Sequence, residues 1–304
     1  MIILKLTDGL GNQMFQYAFG RQLQRIYGMP MLLETARFRK QVRRMGLQAL
    51  AIPLVDRKPT AQQCRIATEL ESAAYRTVSQ LVMRYAGRLR GIPFTGPDGY
   101  RRMIRLGHYT TEDSTSYYPF ERTNAKTIFV RGYFQSEKYF HDAAPVIQKE
   151  LRVKAVSGGE VERLGERMAR ENSVCVHIRR GDYIGHPKFD VCGETYYRNA
   201  AEYLRARVES PRLYVFSNSP EDLDWIRREY PFLSDAHFVK EGRNEFDDLY
   251  LMYHCRHHVI SNSTFGWWGA YLKTAKGMTL CPSRWDNVNA RQDIEMEDWI
   301  RIQV

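Results

Sequence analysis

Short apolar runs recur along the chain, each followed by a polar turn and then by a stretch whose apolar residues return every three or four positions. Ile2 to Thr7 reads as a strand, Asp8-Gly9-Leu10-Gly11-Asn12-Gln13 as a turn, and about Met14 to Tyr27 as a helix with Phe15, Ala18, Phe19, Leu23 and Ile26 on one stripe. Met31 to Glu34 predicts a second strand. Beyond a segment broken by Pro53 and Pro59, Ala61 to about Leu89 predicts a long helix. Its apolar face holds Ile66, Leu70, Ala74, Thr77, Leu81 and Tyr85, with Arg65, Arg76 and Arg90 roughly opposite. A packed helix with a wet basic face accounts for this pattern, and a membrane-surface helix is the alternative. Residues 91–125, rich in Gly, Pro, Tyr and Thr, read as loop. Ile128 to Tyr133 is a strand, and Glu137 to Leu151 a helix interrupted near Pro145.

Val156-Ser157-Gly158-Gly159 marks a change of composition between two helical patterns and predicts a boundary, with one unit over residues 1–155 and a second over 156–304. The second unit repeats the alternation. Strands are predicted at Val174–Ile178, Leu213–Ser217, Ala236–Val239, His258–Ile260 and Met278–Cys281. Helices fall at about Glu160–Arg170, Thr195–Val208, Glu221–Glu229, Glu245–His254 and Phe265–Lys273. Strands alternating with helices predict mostly parallel, doubly wound sheets. The fold class is α/β, with two Rossmann-like domains facing a cleft.

With 304 residues and 43% apolar content the chain can build two ordinary cores. Its five cysteines are scattered and never spaced Cys-x-x-Cys, which argues against a disulfide framework and a cysteine zinc site. The apolar start is too short for a signal sequence, and no later run approaches the roughly 18 apolar residues of a membrane span. A cytoplasmic protein, peripheral at most to the inner membrane face, is expected. The net charge of +10 is concentrated: residues 37–105 hold 15 Lys and Arg against 4 Asp and Glu. That excess suits an anionic membrane surface or a nucleic acid, though a solvated basic face is the commonest cause. The stretch lacks interleaved stacking aromatics and any nucleic-acid module, so no nucleic-acid partner is expected.

The chemistry gathers where Val174-Cys-Val-His-Ile-Arg-Arg-Gly-Asp-Tyr183 ends its strand. His177, Arg179, Arg180 and Asp182 fall together, and adjacent guanidiniums at the end of a buried parallel strand call for an anion, a diphosphate being the most economical. An Arg–Asp pair tying two elements together is the alternative. Ser217-Asn218-Ser219 and Ser261-Asn262-Ser263-Thr264-Phe265 follow other strands of the same unit. Ser263 and Thr264 could cap the next helix, hold a phosphate at its positive end, or both. Trp267 and Trp268, between Gly266 and Gly269, read as core rather than as a sugar platform. His257-His258 reads as a structural strand edge. In the first unit, Asn12 and Gln13 could cap the helix or face a ligand at the strand's carboxyl end. Gly-x-Gly-Asn-Gln is not the dinucleotide fingerprint, and a nicotinamide site is rejected. No Asp-x-Asp pair is read ahead of a nucleotide site, so arginine and a helix end, not magnesium, should neutralise the diphosphate. No Gly-x-Ser-x-Gly elbow appears, and Cys175 lies within a strand, which argues against a Ser or Cys hydrolase.

Three segments together resemble the signatures of the bacterial-type α-1,2-fucosyltransferases, glycosyltransferase family eleven. They are Gly9-Leu10-Gly11-Asn12-Gln13-Met14-Phe15-Gln16-Tyr17-Ala18, His177-Ile178-Arg179-Arg180-Gly181-Asp182-Tyr183 and Ser261-Asn262-Ser263-Thr264-Phe265-Gly266-Trp267-Trp268-Gly269-Ala270. Gly132 to Phe140 also resembles a family segment. The resemblance implies a two-domain glycosyltransferase B fold, with residues 1–155 on the acceptor side and 156–304 binding GDP-β-L-fucose. It implies inversion to an α-1,2 link on a galactose hydroxyl, in surface polysaccharide synthesis, with no metal or cofactor beyond the co-substrate. The acceptor would be a galactose-terminated oligosaccharide or a lipid-linked glycan. The resemblance makes Arg179 the ligand of the β-phosphate and glycosidic oxygen, with Arg180 and Asp182 shaping the loop. Asn12 stands near the reacting acceptor oxygen, with Gln13 beside it on the acceptor side. Donor contacts fall to His177, Arg180, Ser217, Asn218, Asp248, Ser263, Thr264 and Phe265. The chain departs from the family at Asn218-Ser219, where relatives often carry two aspartates and Asp222 is a possible substitute, and less at Gly266, where serine is commoner. Asp182, Glu194 and His177 remain alternatives for the base, as does Asn12 orienting the hydroxyl. A fucosyltransferase of other linkage, or another GDP-sugar transferase, is the nearest alternative function.

Overall fold

The computed structural model describes residues 1–40, 45–89, 96–111, 115–240, 244–289 and 292–304. Arg90, which the sequence places opposite the apolar face of its helix, lies outside them. The chain divides into two compact units, Met1–Leu151 and Arg152–Val304.

The first unit is a five-stranded sheet in the order β3-β2-β1-β5-β4, every pair parallel. Its strands are β1 (Ile2–Lys5), β2 (Met31–Glu34), β3 (Cys64–Ile66), β4 (His108–Thr110) and β5 (Ile128–Arg131). Helix α1 (Leu10–Tyr27) starts four residues before the sequence pattern suggests, because Gly9 is its N-cap and Asn12 and Gln13 already lie in its first turn, without side-chain caps. Most of α1 is buried, its four glutamines included. Gln13 donates to Asp8 O and accepts from Gly46 N, Gln16 bonds both N and Oγ1 of Thr7, and Gln24 donates to Ala61 O and Gln63 O. These amides satisfy polar groups of the loops that pack around α1. Gly20 is needed for close packing, since a β-carbon there would stand 2.6 Å from Met31 Sδ.

Three expectations fail in this unit. Residues 61–68 are not helical: Cys64–Ile66 pairs with β2, and a capping box starts helix α2 (Glu69–Arg84), with Thr68 Oγ1 accepting from Glu71 N and Glu71 accepting from Thr68 N. The stretch read as loop contains helix α3 (Gly96–Arg105) and strand β4, whose three residues are too few for periodicity to register. The interrupted helix after residue 137 is two 3-10 turns and then α4 (Ala144–Glu150). Glu150 anchors α4 to α1 by accepting from Arg21 at 2.8 Å with both oxygens and from the Tyr17 hydroxyl.

The second unit is a six-stranded parallel sheet, ordered β11-β10-β9-β6-β7-β8. Its strands are β6 (Ser173–His177), β7 (Arg212–Phe216), β8 (His237–Phe238), β9 (His257–Val259), β10 (Thr279–Pro282) and β11 (Ile300–Ile302), the last unanticipated by the sequence pattern. Helices α5 (Gly159–Arg170), α6 (Glu194–Arg205), α7 (Pro220–Glu229), α8 (Glu245–His254) and α9 (Thr264–Tyr271) join them. Two apolar clusters flank the sheet: Val174, Val176, Tyr196 and Ile226 belong to one, Cys175, Met168, Leu251 and Met252 to the other. Side chains of β6 alternate between the two clusters, as a parallel strand covered on both faces requires. Strand β9 lies inside the sheet, so His257-His258 is not at an edge; buried His258 has its Nε2 2.9 Å from Met252 O. The polar segment near 157 is pinned to this unit, because buried Asp247 accepts from Ser157 N and Oγ.

Candidate active site

In the second sheet the chain runs outward from β6 through β7 to β8, then returns to lay β9 on the other side of β6. Loops at the carboxyl ends of β6 and β9 leave in opposite directions there, and such switch points are where open α/β sheets bind ligands. The β6 loop brings the two arginines, and the β9 loop brings Ser261 to Thr264. His177, the last residue of β6, is buried with Nδ1 3.0 Å from Ser261 Oγ, so it joins the two loops. Burial, reinforced by the nearby Arg179 charge, pushes its pKa down to about 3 and keeps the ring neutral. Gly266 lies against that ring: a β-carbon would stand 2.7 Å from Nδ1. Any side chain at this position would have to move the His177 ring.

The adjacent arginines do not form one clamp. Gly181, at φ +59°, turns the chain sharply after them. Arg180 swings to Asp222, Nε to Oδ1 3.1 Å, and stacks 3.3 Å from the Trp225 ring centroid. Its backbone N–H donates to Asn218 Oδ1, and Ser217 Oγ donates to Ile178 O. In this arrangement Arg180, Ser217, Asn218 and Asp222 brace the loop. Arg179 is different. Its Nη2 donates to Asp182 Oδ1 at 2.6 Å and its guanidinium carbon lies 5.0 Å from the Tyr183 ring centroid. Its Nε–H is buried and has no acceptor among the described residues. A buried donor left unmet costs about 1–3 kcal/mol, which a ligand oxygen would recover.

On the β9 loop, which His177 ties to the end of β6, Ser263 caps α9, accepting from Phe265 N at 3.3 Å, while Thr264 and Phe265 form the half-buried first turn at the helix's positive end. Trp267 and Trp268 are fully buried, and the Trp267 indole donates to Ile294 O, so both belong to the core. On α8, the Asp248 carboxylate has no hydrogen-bond partner among the described residues; burial, then the negative charges of Asp247 and Glu245, push its pKa up to about 7. An Asp-x-Asp spacing does occur, at Asp222-Leu223-Asp224 on α7, but Asp222 is held by Arg180 and Asp224 by Lys240. Among the described residues no three His, Cys, Asp or Glu side chains come together as a metal site.

The first unit has its own switch point, between β1 and β5. Its residues include one the sequence reading passed over. Asp8, just beyond β1, adopts the left-handed region (φ 66°), as does Phe134 (φ 52°) just beyond β5. Strained non-glycine residues of this kind gather at functional sites. Asp8 Oδ2 accepts from the Tyr133 hydroxyl at 2.8 Å, and Oδ1 lies 3.9 Å from Arg37 Nη2. Asn12 Oδ1 accepts from Gln135 Nε2 at 2.8 Å, leaving the Asn12 N–H2 without an acceptor among the described residues. Gln13, by contrast, is buried and spent on backbone, so it is not available to an acceptor. The signal for Asp8 was a carboxylate directly between a strand and a Gly-x-Gly turn. Of the carboxylates weighed as base, Asp182 is paired with Arg179 and Glu194 with Arg198, and the His177 ring is too weakly basic.

Two α/β units, each built on an all-parallel sheet, have the make-up of the glycosyltransferase B fold. The chain shares its fold with the fucosyltransferase NodZ from Bradyrhizobium, at a TM-score of 0.52 and 14% identity over 90% of this chain and 92% of that one. Residues 105–303 match the model of glycosyl transferase family 11, and the chain belongs to that family, the one its three signatures resemble. It is 31% identical over 184 residues to an α-1,2-colitosyltransferase of Escherichia coli, a match spanning 57% of this chain and 61% of that enzyme. It is 27% identical to the Escherichia coli O-antigen biosynthesis glycosyltransferase WbnK, over 98% of this chain and 99% of that protein.

Proposed function

We propose that this glycosyltransferase moves L-fucose from GDP-β-L-fucose to the 2-hydroxyl of a galactose residue, with inversion and without a metal, in the synthesis of a surface glycan. The observation that carries the reading is Arg179, a guanidinium with a buried unmet N–H on the loop that leaves β6, in a family 11 chain. The donor's diphosphate meets Arg179 and the first turn of α9, with Ser263, Thr264 and Phe265 around it and the Asp248 carboxylate accepting from the nucleotide's N–H or O–H groups. The galactose oxygen attacks the anomeric carbon, the bond from that carbon to the β-phosphate oxygen breaks, and GDP leaves with the electron pair. Negative charge grows on the phosphate in the transition state, and a preorganised guanidinium and helix end stabilise it there more than in the ground state. The hydroxyl proton passes to Asp8, whose strained backbone and Tyr133 hydrogen bond fix its carboxylate, while Asn12 orients the oxygen. In this reading residues 1–155 serve the acceptor and 156–304 the donor.

A second donor reading, GDP-colitose, is favoured by the similarity to the colitosyltransferase. A lipid-linked glycan is the acceptor class that would require the enzyme to work at a membrane. Incubation with GDP-fucose, GDP-colitose, GDP-mannose and UDP-galactose against galactose-terminated oligosaccharides, followed by linkage analysis, tests the proposal. An α-1,2-fucosylated galactose is expected. Turnover of GDP-colitose alone selects the second reading, and a different linkage or a UDP-sugar product refutes both.

A further inference from the structure

Helix α2 presents its apolar stripe to solvent. Leu70 is 82% exposed, Leu81 59%, Val78 47% and Tyr85 41%, whereas the turned-in positions include the small residues Ser72 and Ala86, both buried. Those four account for four of the six exposed large apolar side chains among the described residues. Soluble surfaces scatter such residues singly, and a contiguous stripe marks an interaction face. The expectation of an ordinary packed helix with a basic outer face is thus reversed.

The charges decide what covers the stripe. Arg65 is held by Glu71 at 2.7 Å and Arg76 lies 3.8 Å from Glu34, so these two of the three arginines singled out by the sequence are already engaged. Arg84 and Arg88 stand exposed, three and seven residues after Leu81, with no carboxylate partner among the described residues. A second copy docked here would bring like charges together, because the surrounding stretch 37–105 carries a large positive excess. An anionic bilayer matches both features, apolar interior to Leu70, Val78 and Leu81 and phosphate headgroups to the arginines. We infer that α2 and the π turn after it (Tyr85–Leu89) dock this enzyme on an anionic lipid surface.

Co-sedimentation with equimolar phosphatidylglycerol–phosphatidylcholine vesicles tests this, and needs neither donor nor acceptor, so its failure leaves the proposed reaction untouched. The parent should bind these vesicles, lose binding in high salt, and bind pure phosphatidylcholine far less. Arg84→Gln/Arg88→Gln should lower partitioning about 30-fold, the effect of two surface charges. Leu70→Ser/Leu81→Ser should lower it at least about tenfold. Both should keep the parent's circular dichroism and its rate on a soluble acceptor. Partitioning of either double variant within about twofold of the parent, or equal binding to neutral vesicles, overturns the inference. So does a concentration-dependent dimer in light scattering that Leu70→Ser/Leu81→Ser dissolves, which assigns the face to a second copy.

Discussion

Arg179→Ala should separate catalysis from stability more cleanly than any other substitution in this chain. The folded protein loses one ion pair, to an Asp182 carboxylate that is 55% exposed and returns to water at little cost. It also loses a buried N–H that no described residue satisfies. These effects oppose each other, so stability should move by less than about 1 kcal/mol and Tm by no more than roughly 2–4 °C. The transition state loses a preorganised charged donor aimed at the leaving phosphate, a loss that elsewhere costs about 2.7–4 kcal/mol, or about 10²–10³ in kcat. Arg179→Lys should recover only part of the rate, since an ammonium restores the charge without the planar fork. Asp182→Asn keeps the guanidinium and should cost less than about tenfold. The assay is initial-rate GDP release with GDP-fucose varied at saturating acceptor, with Tm measured on the same preparations. If Arg179→Ala raised only the KM for GDP-fucose, the residue would bind ground state and transition state equally and its catalytic assignment would be wrong.

Asp8→Asn should lower kcat by about 10²-fold or more while leaving the KM for GDP-fucose within about twofold, and a parent-like rate would remove Asp8 as the base. Gly266→Ala should cost about 1–3 kcal/mol, roughly 2–12 °C in Tm, because its β-carbon meets the His177 ring; an unchanged melting curve would mean the ring moves freely. Asp248 makes stability depend on pH: its folded pKa of about 7 stands above an unfolded value near 4, so the folded chain holds an extra proton across that window and stability falls as pH rises through it. Asp248→Asn should flatten that fall in urea midpoints measured at about pH 5 and about pH 8, and equal slopes in parent and variant would refute the shift. Transfer should persist in excess EDTA, and abolition with rescue by manganese or magnesium would replace the arginine-based mechanism with a metal-based one.

The alternation of buried runs and amphipathic stretches determined the architecture, because parallel strands covered on both faces must be apolar throughout and their crossovers must be helical. It also determined which loops carry polar residues, since after-strand loops stand out against apolar neighbours. Strands of three residues, such as β4 and β11, are too short for a period to emerge, and residues 61–68 imitate a helix until Thr68 caps one. Motif residues could be counted but not sorted. Only the tertiary structure decided that Arg180 is consumed by Asp222 and Trp225 while Arg179 keeps an unmet donor. It likewise decided that Gln13 is spent on backbone, that Asp8 is strained beside Tyr133, and that the apolar stripe of α2 faces outward. The reason is common to all of these. Periodicity records how polar a position is, whereas whether a polar group is satisfied, or an apolar one covered, depends on partners brought from distant parts of the chain, as Asp8 and Tyr133, 125 residues apart, are brought together by the pairing of β1 with β5.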